Sequence, residues 1–371
     1  MHTAPFKFDI VGSFLRPDYL KEGRAAYQAG KITQEELKTI EDKAITELIT
    51  KQKSIGLPVI TDGEFRRSWW HLDFMWGLGG VEKKVIAQGY TFQGETTRPE
   101  TAGLTGKITG TNHPFVEHFK FVKQFEDNNV VARQTIPAPA QFLAELKRAD
   151  NVAKTKEIYP NDDELIADIG KAYQQVIADL YAAGCRNIQF DDCTWGMFCD
   201  KEYWQKRQQA DVSIEDLANQ YITVNNLAIA NKLADLALTT HVCRGNYHST
   251  WAAQGGYGPI APYLFSKENV NAYYLEFDDD RSGDFSPLQY VNGTKQVVLG
   301  LITTKNPKLE DKETIIKRIH EATKYLPLER LCLSPQCGFA STEEGNKLTE
   351  EEQWNKLKLV KEIAEEVWHT L

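Results

Sequence analysis

The chain has 371 residues, of which 42% are hydrophobic, which is enough for one large α/β domain or two smaller ones. Its 43 basic and 52 acidic residues give a net charge of −9, and the acids are dispersed, which argues against a nucleic-acid or anionic-membrane partner. No apolar run is long enough to span a bilayer, no secretory signal is visible, and six cysteines in so long a chain are not typical of a disulfide framework. These features predict a cytoplasmic protein.

The first part of the chain mixes short apolar strands with one clear helix. A strand is predicted at 8–12 (FDIVG), and an amphipathic helix follows that begins at Thr33, which forms a capping box with Glu36. The next strand is predicted at 58–62 and ends in acidic residues. Between about 77 and 130, Gly and Thr become frequent and alternation replaces helical spacing, which predicts an inserted β-hairpin or loop.

From residue 130 onward, predicted strands and helices alternate regularly. The strands lie near 131–137, 187–191, 238–243, 272–277, 296–303 and 331–335. With the two earlier strands they make eight, and strands that alternate with helices pair in parallel. The sequence therefore predicts an α/β fold, an eight-stranded β/α (TIM) barrel in which residues 1–371 form a single domain. A doubly wound open sheet is the alternative, although no G-x-G-x-x-G or P-loop motif follows the first strand.

Polar or metal-competent side chains stand at six of the eight predicted strand ends. They are Ser13, Glu64, Asp191 with Asp192, His241 with Cys243, Glu276, and Cys337. In β/α barrels the chemistry gathers at the carboxyl ends of the strands. We therefore expect these side chains to surround one mouth of the barrel.

The segment TTHVCR (239–244) holds a histidine and a cysteine two positions apart on a predicted strand. Residues at that spacing point to the same side, so the imidazole of His241 lies beside the thiol of Cys243. Nitrogen and sulfur ligands suit zinc. Taken alone, however, the pair is more typical of a buried structural histidine next to an inert cysteine.

Two further ligands are expected at the ends of later strands. Cys337 lies in SPQCG, where proline and glycine turn the backbone, so we expect its thiol to be more exposed than that of Cys332, which lies inside the strand. In YYLEFDDD, the spacing alone does not show whether Glu276 or Asp278 is the metal ligand. Glu276 lies deeper in the apolar run, which favours it as the ligand.

The charge of this ligand set indicates its chemistry. Two thiolates and one carboxylate around a divalent cation leave a net charge of +2 − 3 = −1. A coordinated thiol is deprotonated outright, and the anionic set leaves an incoming sulfur nucleophilic. The carboxylate is the ligand that can most readily leave the metal and free a coordination position for a substrate. The set therefore favours activation of a thiol, with a closed structural zinc site as the alternative.

Other strand-end residues fit an amino-acid substrate. Glu64 and Asp191 are candidates to bind an ammonium group, and Ser13 is a candidate to bind a carboxylate. Barrel-rim charge and a plain turn residue are the alternatives. Three tryptophans are candidates to stack on a flat heterocycle, although packing is the commoner role of aromatic residues near a barrel rim: Trp69, Trp70 and Trp195.

Six segments resemble those of cobalamin-independent methionine synthase. THVC, YYLEFDD and SPQCG are similar to its zinc-binding segments, and VGSF (11–14), DGEF (62–65) and IQFDD (188–192) also match. They extend from residue 11 to about 340 and correspond to the catalytic C-terminal barrel, so the chain is similar to a short, single-barrel member. The resemblance implies that zinc is held by His241, Cys243, Glu276 and Cys337, that homocysteine's amine is bound by Glu64 and Asp191, and that its carboxylate is bound by Ser13.

The implied reaction is methyl transfer from 5-methyltetrahydrofolate, or its polyglutamate, to homocysteine, which gives methionine. The leaving folate nitrogen needs a proton. Where the family has a histidine after the seventh strand, this chain reads GLITTKNP, so His248 is the candidate proton source. The family's N-terminal barrel is missing, so another methyl donor is an alternative. A transferase that joins a thiol such as coenzyme M to an epoxide is the other alternative.

Overall fold

The structure, a computed structural model, describes residues 3–202, 205 and 213–369. Its strands are β1 (Val59–Ile60), β2 (Gly79–Val85), β3 (Glu100–Thr109), β4 (Val131–Ala132), β5 (Gln134–Pro137), β6 (Asn187–Asp192), β7 (Ala237–Val242), β8 (Ala272–Glu276), β9 (Gln296–Ile302) and β10 (Leu331–Pro335). Its α-helices are α1 (Asp18–Gln28), α2 (Gln34–Ser54), α3 (Leu72–Trp76), α4 (Phe115–Lys123), α5 (Pro139–Leu146), α6 (Val152–Ile158), α7 (Asp162–Ala182), α8 (Thr194–Cys199), α9 (Ile214–Ala228), α10 (Ala261–Lys267), α11 (Lys312–Ala322) and α12 (Glu350–Trp368). Short 3₁₀ helices lie at Asp280–Ser282, Ser286–Tyr290 and Leu328–Arg330.

Strands β5 to β10 form one parallel sheet in sequential order. The order runs without the reversal that defines a doubly wound sheet. Asp191 of β6 lies opposite His241 of β7, which in turn lies opposite Tyr274 of β8. These strands are almost entirely buried, as expected for a parallel sheet that is covered on both faces. Their carboxyl ends lie along one edge, where the predicted site residues stand.

The start of the chain pairs with β10 at one edge of the sheet and with the segment that follows β1. Phe8 forms a parallel bridge with Leu333 of β10, Ser13 forms one with Gly63, and β1 pairs in parallel with β4. The predicted strand at 8–12 is thus reduced to isolated bridges. The physical reason is the side chain of Asp9, which accepts the backbone N–H of Ile10 at 2.7 Å and so takes a donor that a strand ladder would use.

A buried ion pair joins the start of the chain to the middle of the sheet. Arg133, between β4 and β5, lies 2.9 Å from Asp9, and both side chains are 0% exposed. The hydroxyl of Tyr274 donates to Asp9 at 2.8 Å and accepts from Arg133 at 2.9 Å. Arg133 also donates to the carbonyl of Ile10 at 2.8 Å. These contacts fix the first segment against β8 through polar side chains.

Strands β2 and β3 form an antiparallel pair within the interval for which an insertion is predicted. The same interval also contains α4, which the Gly- and Thr-rich pattern does not predict. Pro114 precedes α4 with a φ of −62°, a value that suits the start of a helix. The buried face of α4 consists of Phe115, Phe119 and Val122.

Two helices differ from the prediction. The sequence of residues 213–235 predicts one helix, but α9 ends at Ala228, because the apolar periodicity fails beyond it and Leu233 is left exposed. The sequence of residues 244–271 predicts a loop, but the stretch contains α10, where a proline in the first turn helps to set the backbone. Among the described residues, no helix is both long and apolar enough to cross a membrane.

Candidate metal centre

Strand β7 ends at a histidine and a cysteine that are both buried. Nδ1 of His241 lies 3.2 Å from the carbonyl oxygen of Tyr274, whereas Nε2 is buried without a hydrogen-bond partner of acceptable geometry among the described residues. A hydrogen bond from Nδ1–H to that carbonyl orients the ring and leaves the lone pair on Nε2 free. The Sγ atom of Cys243 accepts the backbone N–H of Gly245 at 3.2 Å, which supports negative charge on the sulfur.

Strand β8 contributes Glu276, which is fully buried. Its Oε2 accepts the backbone N–H of Arg244 at 3.2 Å, and its Oε1 has no hydrogen-bond partner within the part of the chain that the structure describes. Burial is the largest cause that raises the pKa of Glu276 to about 7. Asp278 instead pairs with Arg281 at 3.1 Å. Of the two acids that spacing did not separate, the structure brings Glu276 to the cluster.

Cys337 follows β10, and its Sγ lies 3.7 Å from that of Cys243. Cys337 is 4% exposed and Cys332 is 0% exposed, so the expected order is found, but the turn leaves Cys337 buried as well. Two distant segments cover the turn. Asn246 donates to the carbonyl of Gly338 at 2.8 Å, and a Cβ at Gly338 would overlap the hydroxyl of Ser13. Cys332, by contrast, packs in a small apolar cluster, as predicted.

The four predicted ligands converge. One ligand atom from each of His241, Cys243, Glu276 and Cys337 lies within 4.8 Å of the others, and all four residues are buried. Hydrogen bonds from neighbouring thiols lower the pKa of Cys243 well below its usual range. One imidazole, two thiols and one carboxylate form a cluster that could hold a metal ion.

Two polar residues outside the predicted set also lie at this edge. Cys193 follows β6, and a hydrogen bond to Cys243 raises the pKa of its thiol well above the usual range. Since Asp192 lies opposite Val242, continuing that register by one residue would have placed Cys193 beside Cys243. Lys305, beyond β9, donates to Asn246 at 2.9 Å.

Asp191 and Glu64 are buried near the cluster. Burial raises the pKa of Asp191 to about 7, the charge of His241 opposes that rise, and the charge of Glu64 adds to it. Glu64 adopts a φ of 64°, which is uncommon for a residue with a side chain and is typical of functional sites. Its Oε1 accepts from Thr135 at 3.0 Å and from Arg67 at 3.2 Å, whereas Oε2 is buried with no described partner.

Ser13 lies beside the turn that contains Cys337. Its hydroxyl oxygen accepts the backbone N–H of Ala340 at 3.3 Å, and its carbonyl accepts the N–H of Phe339 at 3.0 Å. The strand-end residue of the first segment is therefore placed next to the last predicted ligand.

The predicted proton source, His248, and the three predicted stacking tryptophans make contacts outside the four-ligand cluster. Nδ1 of His248 lies 3.5 Å from Glu95, in the segment between β2 and β3, and its ring stacks on Tyr247. Trp195 and Trp69 are buried in the hydrophobic core, which leaves little ring surface for a ligand. Trp70 is half-buried and lies 4.5 Å from the ring of its neighbour His71.

The fold and the cluster define an α/β protein with a candidate metal centre at the carboxyl ends of parallel strands. The sequence model of one family, "Cobalamin-independent synthase, Catalytic domain", matches residues 6–366. The chain therefore belongs to the cobalamin-independent methionine synthase family, and the resemblance seen in its motifs is confirmed.

Individual relatives agree with this assignment. The uncharacterized protein YxjH of Bacillus subtilis (strain 168) is 45% identical over 367 residues, which are 98% of this chain and 95% of the relative. A methionine synthase of Saccharolobus solfataricus is 26% identical over 340 residues, covering 89% of this chain and 87% of that one. A solved structure from Listeria monocytogenes, of a protein assigned to the vitamin-B12-independent methionine synthases, is 39% identical with a TM-score of 0.79 and covers 99% of both chains. The fold is thus similar to that of methionine synthase catalytic domains of the TIM-barrel type.

Proposed function

We propose that the protein is a zinc-dependent methyltransferase that moves a methyl group from 5-methyltetrahydrofolate, or its polyglutamate, to homocysteine and forms methionine. The observation that carries the proposal is the convergence of four buried ligand atoms, one from each of His241, Cys243, Glu276 and Cys337. Two further facts support a cation there: Nε2 of His241 and Oε1 of Glu276 are both buried without described partners. Leaving such a group unpaired costs about 1–3 kcal/mol, which coordination would remove.

The proposal includes a closed, single-domain barrel with an insertion at about 77–130. Bridges at Phe8 and Ser13, together with the β1–β4 pair, supply the contacts that would join β10 back to β5. The buried pair of Asp9 and Arg133 supports this, because it links the first segment to the sheet from within. A closed ring gathers strand ends from residue 13 to residue 337 around one mouth.

Zinc is the ion that best suits one nitrogen, two sulfur and one carboxylate ligand, and when bound it would supply a lowered pKa for a coordinated thiol. The protein groups around it hold the ligands ready. Arg244 fixes one oxygen of Glu276 through its backbone N–H, and Gly245 donates to Cys243. All six cysteines are free thiols, which supports a reducing, cytoplasmic setting.

Glu64 and Asp191 are proposed to bind the substrate amine. Burial raises the pKa of both carboxyls, although Arg67, 3.2 Å from Glu64, opposes the rise for that residue. An ammonium group between them would add positive charge and would favour ionisation of both. Oε2 of Glu64 is buried without a described partner and is therefore available to accept a hydrogen bond from the amine.

Ser13 is proposed to bind the substrate carboxylate, and His248 to protonate the leaving nitrogen. The hydroxyl of Ser13 accepts the N–H of Ala340 and can donate its own proton to a carboxylate at the same time. His248 is the histidine of the loop after Cys243, and its Nδ1 lies 3.5 Å from Glu95.

The test is a product analysis of the zinc-loaded protein. It is incubated with homocysteine and with the mono- and polyglutamate forms of 5-methyltetrahydrofolate, and products are measured by mass spectrometry. Methionine is expected from the parent protein and not from Cys337→Ser. Stoichiometric zinc with no methionine from any folate form refutes the proposal. A thioether formed from coenzyme M and an epoxide would instead favour the alternative transferase.

A further inference from the structure

Lys305 is held rigidly beside the candidate metal centre. It follows β9, is half-buried, and its Nζ donates to Oδ1 of Asn246 at 2.9 Å and to the carbonyls of Thr250 at 3.3 Å and Gly245 at 3.4 Å. A protonated lysine has three N–H donors, so these acceptors use all of them. The ammonium group is therefore a fixed charge rather than a free donor for a ligand.

The segment around Lys305 also ties two ligand-bearing turns together. Asn246 donates to the carbonyl of Gly338 at 2.8 Å, and the hydroxyl of Thr304 donates to the same carbonyl at 3.1 Å. Asn346 donates to Oδ1 of Asn246 at 2.9 Å. The loop after Cys243 and the turn after Cys337 are thus linked by Asn246, whose Oδ1 also accepts from Lys305.

The negative charge of the cluster makes the positive charge of this lysine important. Two thiolates and a carboxylate around a divalent ion carry −1, and a substrate thiolate would make that −2 in a buried place. Burying charge without compensation is costly. Arg244, whose Nη1 lies 3.6 Å from Oε2 of Glu276, compensates part of this charge. The Nζ of Lys305 lies 3.4 Å from the carbonyl of Gly245, whose own N–H donates to the Sγ of Cys243 at 3.2 Å, so the charge stands next to the cluster.

We propose that Lys305 is a positioning residue that holds a fixed positive charge beside the metal centre and thereby strengthens the binding of a thiolate substrate. The inference rests on the proposed function, because it requires that the substrate bring its sulfur to this cluster. Lys305 acts through the loop after Cys243 and through its charge, and it does not touch the substrate.

The experiment uses the full chain loaded with cobalt, whose visible spectrum reports thiol coordination. Homocysteine is titrated into the parent protein and into Lys305→Met, Lys305→Arg and Lys308→Met, and the bound cobalt is measured for each. Lys308 is exposed and three residues away, so its variant removes the same charge outside the site.

Lys305→Met is expected to bind cobalt normally but to raise the Kd for homocysteine about tenfold or more. Lys305→Arg is expected to restore most of the affinity, and Lys308→Met to match the parent protein. An unchanged Kd in Lys305→Met overturns the inference. Should that variant aggregate, Lys305→Gln keeps a hydrogen bond to Asn246 without the charge, and the same rise in Kd is expected of it.

The two proposals fail in different ways. A parent protein whose cobalt spectrum does not respond to homocysteine contradicts the proposed function itself. A normal spectral response without methyl transfer contradicts the methyl donor but leaves the role of Lys305 intact. A normal response that is equal in Lys305→Met contradicts the role of Lys305 alone.

Discussion

Replacing Arg133 with methionine should destabilise the fold strongly. Methionine fills much of the volume but leaves the carboxylate of Asp9 buried without its cation, and the hydrogen bond to the carbonyl of Ile10 is lost. Removing one partner of a buried ion pair costs about 3–5 kcal/mol. Adding Asp9→Asn to Arg133→Met removes the unpaired charge, so the double variant is expected to regain a large part of that loss.

Urea unfolding followed by circular dichroism at pH 7 measures the free energy of unfolding of each variant. Lys154→Met is the matched control, because Lys154 pairs with Glu157 at 2.7 Å while both side chains are half-exposed or more. Exposed pairs contribute little, so its effect should be small. If Arg133→Met costs no more than Lys154→Met, the buried pair does not hold the first segment to the sheet, and the argument for barrel closure fails with it.

Three further outcomes are expected. Cys337→Ser should lower the zinc content well below one per chain in elemental analysis, whereas Cys332→Ala should retain it; equal zinc in both would remove Cys337 from the site. Burial raises the pKa of Glu268 to about 8, so the folded protein favours the protonated form and loses stability as the pH rises from about 4.5 to about 8. Glu268→Gln should flatten this part of the plot of urea midpoint against pH. A variant whose plot keeps the slope of the parent protein would contradict this cause. His248→Asn should slow methionine formation by about 10²- to 10⁴-fold without changing the cobalt response to homocysteine, and an unchanged rate would exclude it as the acid.

Elements with local signals could be predicted from the sequence. Helix α2 begins where Thr33 and Glu36 predict a capping box, and both of its hydrogen bonds are present. Strands β6 to β10 are each centred on a short apolar stretch, and parallel pairing buries almost all of their residues on both faces. The four ligand candidates were found for the same reason, because each stands at or just beyond the end of such a stretch.

Features that depend on distant contacts could not be predicted. The stretch 8–12 reads as a strand, but Asp9 turns its side chain to a local N–H and to Arg133, which lies 124 residues later. The turn around Cys337 indicates a thiol more exposed than that of Cys332, but Asn246 and Ser13 cover the turn and leave Cys337 buried. Lys305 looks like an ordinary loop lysine until the loop after Cys243 is folded against it. In each case the deciding partner is remote in sequence.

The spacing of the two cluster thiols has a consequence for the order of events in the cell. Cys243 and Cys337 are 94 residues apart, and their sulfurs meet only when β7 to β10 have all paired. A nascent chain emerging from the ribosome cannot assemble the complete cluster until the segment that carries Cys337 has been translated. An ion that needs all four ligands would therefore be bound only after that segment has folded against the earlier strands.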